Sequence, residues 1–103
     1  MDKIKVIIYG CGVMGRRVAE ALLAKKSFKI VGALDIKPEL VGKDLGEILY
    51  PSRRIGIKIE KDAKALFSRA KAQVAVLTTT SHFKSVFPQV SGCLEAGMNV
   101  VST

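Results

Sequence analysis

Gly10, Gly12 and Gly15 stand in the order G-x-G-x-x-G, and Asp35 follows the last of them by twenty positions. Residues of these types at this spacing suit one kind of chemistry, which is holding a phosphorylated nucleotide without reacting with it. A glycine at 10 permits a tight turn. A glycine at 12 leaves bare backbone for a pyrophosphate, and a glycine at 15 lets a following helix press close to a strand. Val13 and Met14 complete the turn, where an opening helix presents unpaired N–H groups and the positive end of its dipole. Met14 is expected to pack beneath the turn. Cys11 fills a slot where a small side chain suffices, with no redox role. A carboxylate placed like Asp35 accepts the hydroxyls of an adenosine ribose; the simpler alternative is a cap or turn aspartate at a strand end. Lys37 lies where it could meet a ribose 2′-phosphate. An acid that repels that phosphate, beside a base that attracts it, predicts tolerance of both NAD and NADP.

A second group of polar residues, Thr78, Thr79, Thr80, Ser81 and His82, follows the apolar run 74–77. Their hydroxyls and amides could line a nicotinamide ribose, although threonines also finish strands well and Ser81 is a good helix cap. His82 is the only histidine in the chain; with no visible partner it reads as a surface residue at a helix start rather than a general acid or base. Ser102 and Thr103 are further candidates for contact with the cofactor. No triad, carboxylate pair or metal-ligand cluster is visible, so neither a catalytic residue nor a metal ligand is assigned.

The elements that must position these residues follow from hydrophobic spacing. Ile4, Val6, Ile7 and Ile8 form a run too short for a helix and rich in β-branched residues. Val18, Ala19, Leu22 and Leu23 recur at helical spacing and predict a helix over 13–26, and residues 28–35 read as a second buried strand. Strand, helix and strand make a βαβ unit. Residues 36–54 form a long connection with a short helix near 44–49. A third strand is expected over 55–59, a helix capped by Asp62 running to Ala70, and a buried fourth strand over 74–77. A helix over 83–96 ends at Gly97, with Pro88 tolerable only as a kink or a late helix start. The fifth strand spans 98–102. Alternating strands and helices predict a Rossmann-like, doubly wound parallel sheet in the order 3-2-1-4-5, with helices on both faces.

At 103 residues, nearly half of them hydrophobic, the chain is one domain with a real core. It goes almost directly from Met1 into strand pattern, with neither a signal peptide nor an apolar run long enough to span a bilayer. Two cysteines without metal-ligand or C-x-x-C spacing suit a reduced, cytoplasmic setting and no membrane partner. The net charge of +8 raises nucleic acid as a partner, but the basic residues are dispersed and not interleaved with aromatics. No nucleic-acid role is expected. Arg16 and Arg17, beside the glycine turn, are the exception to an otherwise solvated positive surface. The chain reads as the N-terminal cofactor domain of a longer protein.

The segment Ile4 to Gly15, Ile30-Val31-Gly32-Ala33-Leu34-Asp35, Val41-Gly42-Lys43-Asp44-Leu45-Gly46-Glu47 and the ending Asn99-Val100-Val101-Ser102-Thr103 resemble the N-terminal half of the 2,4-diaminopentanoate dehydrogenases. More broadly, the chain is similar to the N-terminal domain of the dihydrodipicolinate reductases. The resemblance covers essentially the whole chain, and the 41–47 segment is more discriminating than the glycine turn. It implies an NAD(P)-dependent oxidoreductase acting on an amino-acid-like small molecule through a second domain, and a full-length homo-oligomer. By similarity, Gly10, Gly12, Val13, Met14 and Gly15 hold the pyrophosphate and Asp35 the adenosine ribose, while Thr79 with its neighbours and Ser102 border the nicotinamide. The reductases usually carry Gly-Arg-Met-Gly in the turn and Thr-x-Pro after the fourth strand. Here the turn reads Gly12-Val13-Met14-Gly15, and Thr79-Thr80-Ser81 has no proline, which places diaminopentanoate-type chemistry ahead. A regulatory NAD(H)-sensing domain is an alternative that shares the glycine turn and Asp35.

Overall fold

A computed structural model of the chain describes residues 3–49, 52–78 and 83–102, with 83–87 described as backbone only. Five strands form one sheet: β1 (Ile4–Tyr9), β2 (Phe28–Leu34), β3 (Ile59–Glu60), β4 (Val74–Leu77) and β5 (Asn99–Ser102). Their order is β3-β2-β1-β4-β5, and each neighbouring pair is parallel, as the alternation of strand and helix predicts. β1 is central, which explains its unbroken apolar run. Val6, Ile7 and Ile8 are all buried, because both faces of a central parallel strand are covered.

The helices are α1 (Val13–Leu23), α2 (Ala63–Arg69) and α3 (Phe83–Glu95). On one face of the sheet, Val6 and Ile8 pack with Val18, Ala19 and Leu22 of α1 and with Leu40, Leu45 and Leu49 of the long connection. On the other, Ile7 and Ala75 pack with Leu66 of α2, and with Cys93 and Met98 at the end of α3. Helices thus cover both faces, and the sheet is doubly wound.

Several boundaries differ from the sequence-based expectation. α1 stops at Leu23 rather than Lys26, because Lys25 N–H tightens onto the Leu22 carbonyl at 3.1 Å. Asp62 caps α2 as expected, accepting from Ala65 N–H at 3.1 Å, but Ala70 is already extended. Pro88 lies inside α3, not at a late start. α3 ends through Gly97 at φ +85°, with Gly97 N–H on the Leu94 carbonyl and Met98 N–H on that of Cys93. This paired closure is a Schellman motif, and it draws Met98 out of the fifth strand.

The largest correction concerns β3, expected over 55–59 and found at Ile59–Glu60. The Asp44 carboxylate takes the N–H groups of Ile55 at 2.9 Å and Gly56 at 2.7 Å, and Gly56 adopts φ +83°. Leu45 N–H donates to the Ile57 carbonyl at 2.7 Å, and Lys58 bridges Asp44 in the antiparallel sense. Residues 55–58 are therefore tied to the connection at 44–45 instead of to β2. The short helix in that connection is a 3-10 turn, Leu45–Ile48, also capped by Asp44 through Gly46 N–H at 2.9 Å.

Candidate functional site

The carboxyl ends of β1, β2 and β4 open onto a cavity of about 410 Å³, bordered by Gly10, Gly12, Asp35, Lys37, Lys61 and Thr78 among others. Gly10 leaves β1 at φ +114°, a conformation that favours glycine. Its N–H remains on the sheet ladder, donating to the Leu34 carbonyl at 2.8 Å, and its own carbonyl accepts the Thr78 hydroxyl at 3.1 Å. Gly15 is buried where α1 crosses the turn. A Cβ there would lie 1.8 Å from the Gly10 carbonyl oxygen, so helix and turn touch backbone to backbone.

Gly12 differs from both. It has ordinary extended dihedrals (φ −76°, ψ −163°), and a Cβ built on it meets nothing within 4 Å among the described residues. It forms the N-cap of α1 without a side-chain cap, and the first turn carries no acidic residue. The leading amides of α1 therefore face an uncapped, unneutralised dipole end.

Asp35 sits just past β2, with both carboxylate oxygens engaged by backbone. Oδ2 accepts from Cys11 N–H at 2.7 Å and Oδ1 from Lys37 N–H at 3.0 Å. The acid is thereby fastened to the glycine turn while it borders the cavity, and a carboxylate has lone pairs beyond these two bonds. Cys11 is buried, its thiol donating to the Leu34 carbonyl at 3.5 Å. Burial, and after it the nearby Asp35 carboxylate, push that thiol up to about 12 against a smaller opposing pull from Arg16. Arg16 closes the turn by donating from Nε to the Cys11 carbonyl at 3.0 Å.

The structure brings Gly10, Gly12, Asp35, Lys37 and Thr78 together around one cavity. Gly15 lies behind it, and Val13 and Met14 lie at the exposed start of α1. Met14 is half exposed, which corrects the expectation that it packs beneath the turn. The first turn of α1 overhangs the turn's solvent side, whereas the core-facing positions are Gly15 and Ala19. The Thr78 hydroxyl is directed to Gly10, so its visible role is bracing the turn. Ser102 pairs with Leu77 at the same sheet edge but is exposed and does not border the cavity. Thr79, Thr80, Ser81, His82 and Thr103 lie outside the described residues. Sequence reasoning missed Tyr9, Ile36, Lys61 and Gln89 as cavity residues. For Lys61 the available signal was its place directly after a strand, obscured by the misplaced third strand. Among the described residues no group of histidines, cysteines or carboxylates could hold a metal ion, and no helix is long and apolar enough to cross a membrane.

Comparison with known proteins agrees with this geometry. The chain is 31% identical over 108 residues to 2,4-diaminopentanoate dehydrogenase of Acetoanaerobium sticklandii, covering all of this chain and 29% of that protein. It is 32% identical over 101 residues to 4-hydroxy-tetrahydrodipicolinate reductase of Wolbachia sp. subsp. Brugia malayi, covering 87% of this chain and 38% of the relative. Among solved structures, amine dehydrogenase from Mycobacterium smegmatis superposes with a TM-score of 0.90 at 34% identity, over 98% of this chain and 30% of that one. The chain thus spans about a third of the length of the curated relatives it matches. The model of the family described as dihydrodipicolinate reductase, N-terminus, matches residues 4–103. With a glycine turn, a ribose-spaced acid and a five-stranded Rossmann-like sheet in agreement along that whole span, the chain belongs to the dihydrodipicolinate reductase N-terminal family.

Proposed function

We propose that this chain is the nicotinamide dinucleotide-binding domain of an NAD(P)-dependent oxidoreductase that acts on an amino-acid-like substrate of the 2,4-diaminopentanoate type. The observation that carries it is Gly12. The fold itself demands glycine at 10 and 15, by dihedral angle and by contact. Among the described residues nothing demands it at 12, where the space in front opens into the cavity that also holds Asp35. A pyrophosphate lying against the backbone is what needs that room.

At this site the chain binds and orients. The leading amides of α1, from Val13 to Gly15, take the pyrophosphate, and Asp35 accepts the adenosine ribose hydroxyls while it stays fixed by Cys11 and Lys37. Lys37 borders the same cavity as Asp35, which supports use of both NAD and NADP. The nicotinamide half extends beyond this cavity toward the carboxyl ends of β4 and β5, where Ser102 is exposed; Thr79 and Thr80 are assigned to it by the family resemblance alone. The bound dinucleotide supplies the hydride chemistry; groups that bind substrate and move its proton belong to a second domain. Residues 1–103 are then the cofactor domain of a longer, cytoplasmic, homo-oligomeric protein, in keeping with the third of its relatives' length that it spans. Reduction of a dihydrodipicolinate-type substrate is the second reading, favoured by the family match itself. Val13 in the turn and the absence of proline at 79–81 favour the first.

Calorimetric titration with NADH and NADPH tests the binding. Both are expected to bind, with dissociation constants within about a hundredfold, or about 3 kcal/mol, of one another. A folded protein that takes up neither at millimolar ligand overturns the proposal.

A further inference from the structure

The geometry points to Lys61 as a second cofactor-discriminating cation, reaching a ribose 2′-phosphate in the cavity that it borders together with Lys37; this rests on the dinucleotide assignment above. The parallel register pairs Ala33 with Ile59 and Leu34 with Glu60, and Asp35 N–H continues the ladder onto the Glu60 carbonyl at 3.0 Å. Lys61 is thereby delivered alongside Asp35 at the carboxyl edge of the sheet, one strand over. Glu60 and Lys61 serve different surfaces, as successive residues leaving a strand do. Glu60 pairs with Arg69 beside Val31 and Gly32, whereas Lys61 borders the cavity with Asp35, Ile36 and Lys37. No carboxylate among the described residues pairs with Lys61.

A ribose whose hydroxyls meet Asp35 lies in the cavity that both lysines border, so its 2′-substituent occupies space within reach of both. For NADH that space holds a hydroxyl, for which Asp35 suffices. For NADPH it holds a phosphate that Asp35 repels, and the two flexible ammonium groups offset the repulsion. On this proposal, Lys61 lets a domain with an aspartate at the ribose position take NADPH as well as NADH.

The test is calorimetric titration of the wild-type chain and of Lys61→Ala, Lys61→Arg and Lys37→Ala with NADH and NADPH at fixed ionic strength. Lys61 is exposed, so these variants fold, and circular dichroism checks that they do. Lys61→Ala is expected to weaken NADPH by about five- to tenfold, the scale of one solvated ion pair, and to leave NADH within about twofold. Lys61→Arg retains NADPH. Adenosine 2′,5′-bisphosphate and AMP, used as fragments, repeat the contrast without the nicotinamide half. If wild type binds both dinucleotides and Lys61→Ala weakens them equally, or neither, the role of Lys61 is refuted while the dinucleotide site stands. If wild type binds neither, the site assignment itself falls and this role falls with it.

Discussion

The backbone N–H of Cys11 donates to Oδ2 of Asp35 at 2.7 Å, joining the glycine turn to the end of the neighbouring strand. The acid spaced to read a ribose is therefore also a structural clasp. Asp35→Ala should lower stability by about 1.5 kcal/mol, the scale of a hydrogen bond to a charged group, and weaken NADH as well. Asp35→Asn keeps an acceptor and should lose less of both. Urea denaturation beside NADH titration separates the roles. An acid that only clasps would lower the denaturation midpoint and leave the affinity of the folded fraction unchanged.

The glycines of the turn should respond in opposite ways. Gly15→Ala drives a Cβ into the Gly10 carbonyl at 1.8 Å, where only backbone movement gives relief, and should cost about 3 kcal/mol. Gly12→Val finds open space at its Cβ and permitted dihedrals, so stability should fall by no more than about 1 kcal/mol, the scale of a poorer N-cap, while dinucleotide binding disappears. Thermal melts and titrations on the two variants check the contrast. A loss in Gly12→Val as large as that in Gly15→Ala would remove the chief support for a ligand at that position.

Asp44 offers a pH-dependent prediction. Burial disfavours its charge, but the N–H groups of Ile55, Gly46, Gly56 and Ile57 outweigh that and hold the carboxyl below the usual aspartate range. A depressed folded-state value means the contribution is complete above the unfolded value of about 3.9 and is lost as pH falls through the folded one. Asp44→Ala should destabilise by about 1 to 2 kcal/mol at neutral pH. The gap between variant and wild type should narrow below about pH 4, as denaturant melts at pH 7, 4 and 3 would record. A gap that stays constant down to pH 3 would contradict the clasp.

Cys11 and Cys93 are both buried, and burial raises both thiols. Neither should react with an alkylating reagent at pH 8 in the folded protein, and both should label fully in denaturant. Mass spectrometry after timed iodoacetamide exposure counts the adducts. Rapid native labelling of Cys11 would mean that the turn opens.

Much of this was legible in the residues because it depends on short-range rules. The glycine turn, the position of Asp35 and the strand order follow from spacing and alternation alone. The third strand was misplaced because Ile55, Ile57 and Ile59 alternate like a strand, while Asp44, eleven residues before Ile55, captures the intervening amides. That partnership is tertiary, and no local pattern reveals it. It also gives the 41–47 segment its physical meaning: Asp44 is the clamp, and Gly46 is needed because a Cβ would lie 1.9 Å from the Arg53 carbonyl oxygen. Lys61 was missed for a related reason, since its nearness to Asp35 exists only once the register of β3 on β2 is known. Met14 was misassigned because periodicity names a helix's buried stripe but not how far its first turn projects beyond the sheet.

The diversion of residues 55–58 away from β2 has an effect on the outline of the sheet. β3 contributes only two residues, and the chain leading into it is occupied by its antiparallel bridge to Asp44. That margin offers an incoming strand almost no free ladder. On the other margin β5 runs four residues alongside β4, and Val101 is 55% exposed. Among the described residues the sheet is nearly closed to extension at β3 and unpaired at β5, so a strand that joins it has its longer template along β5.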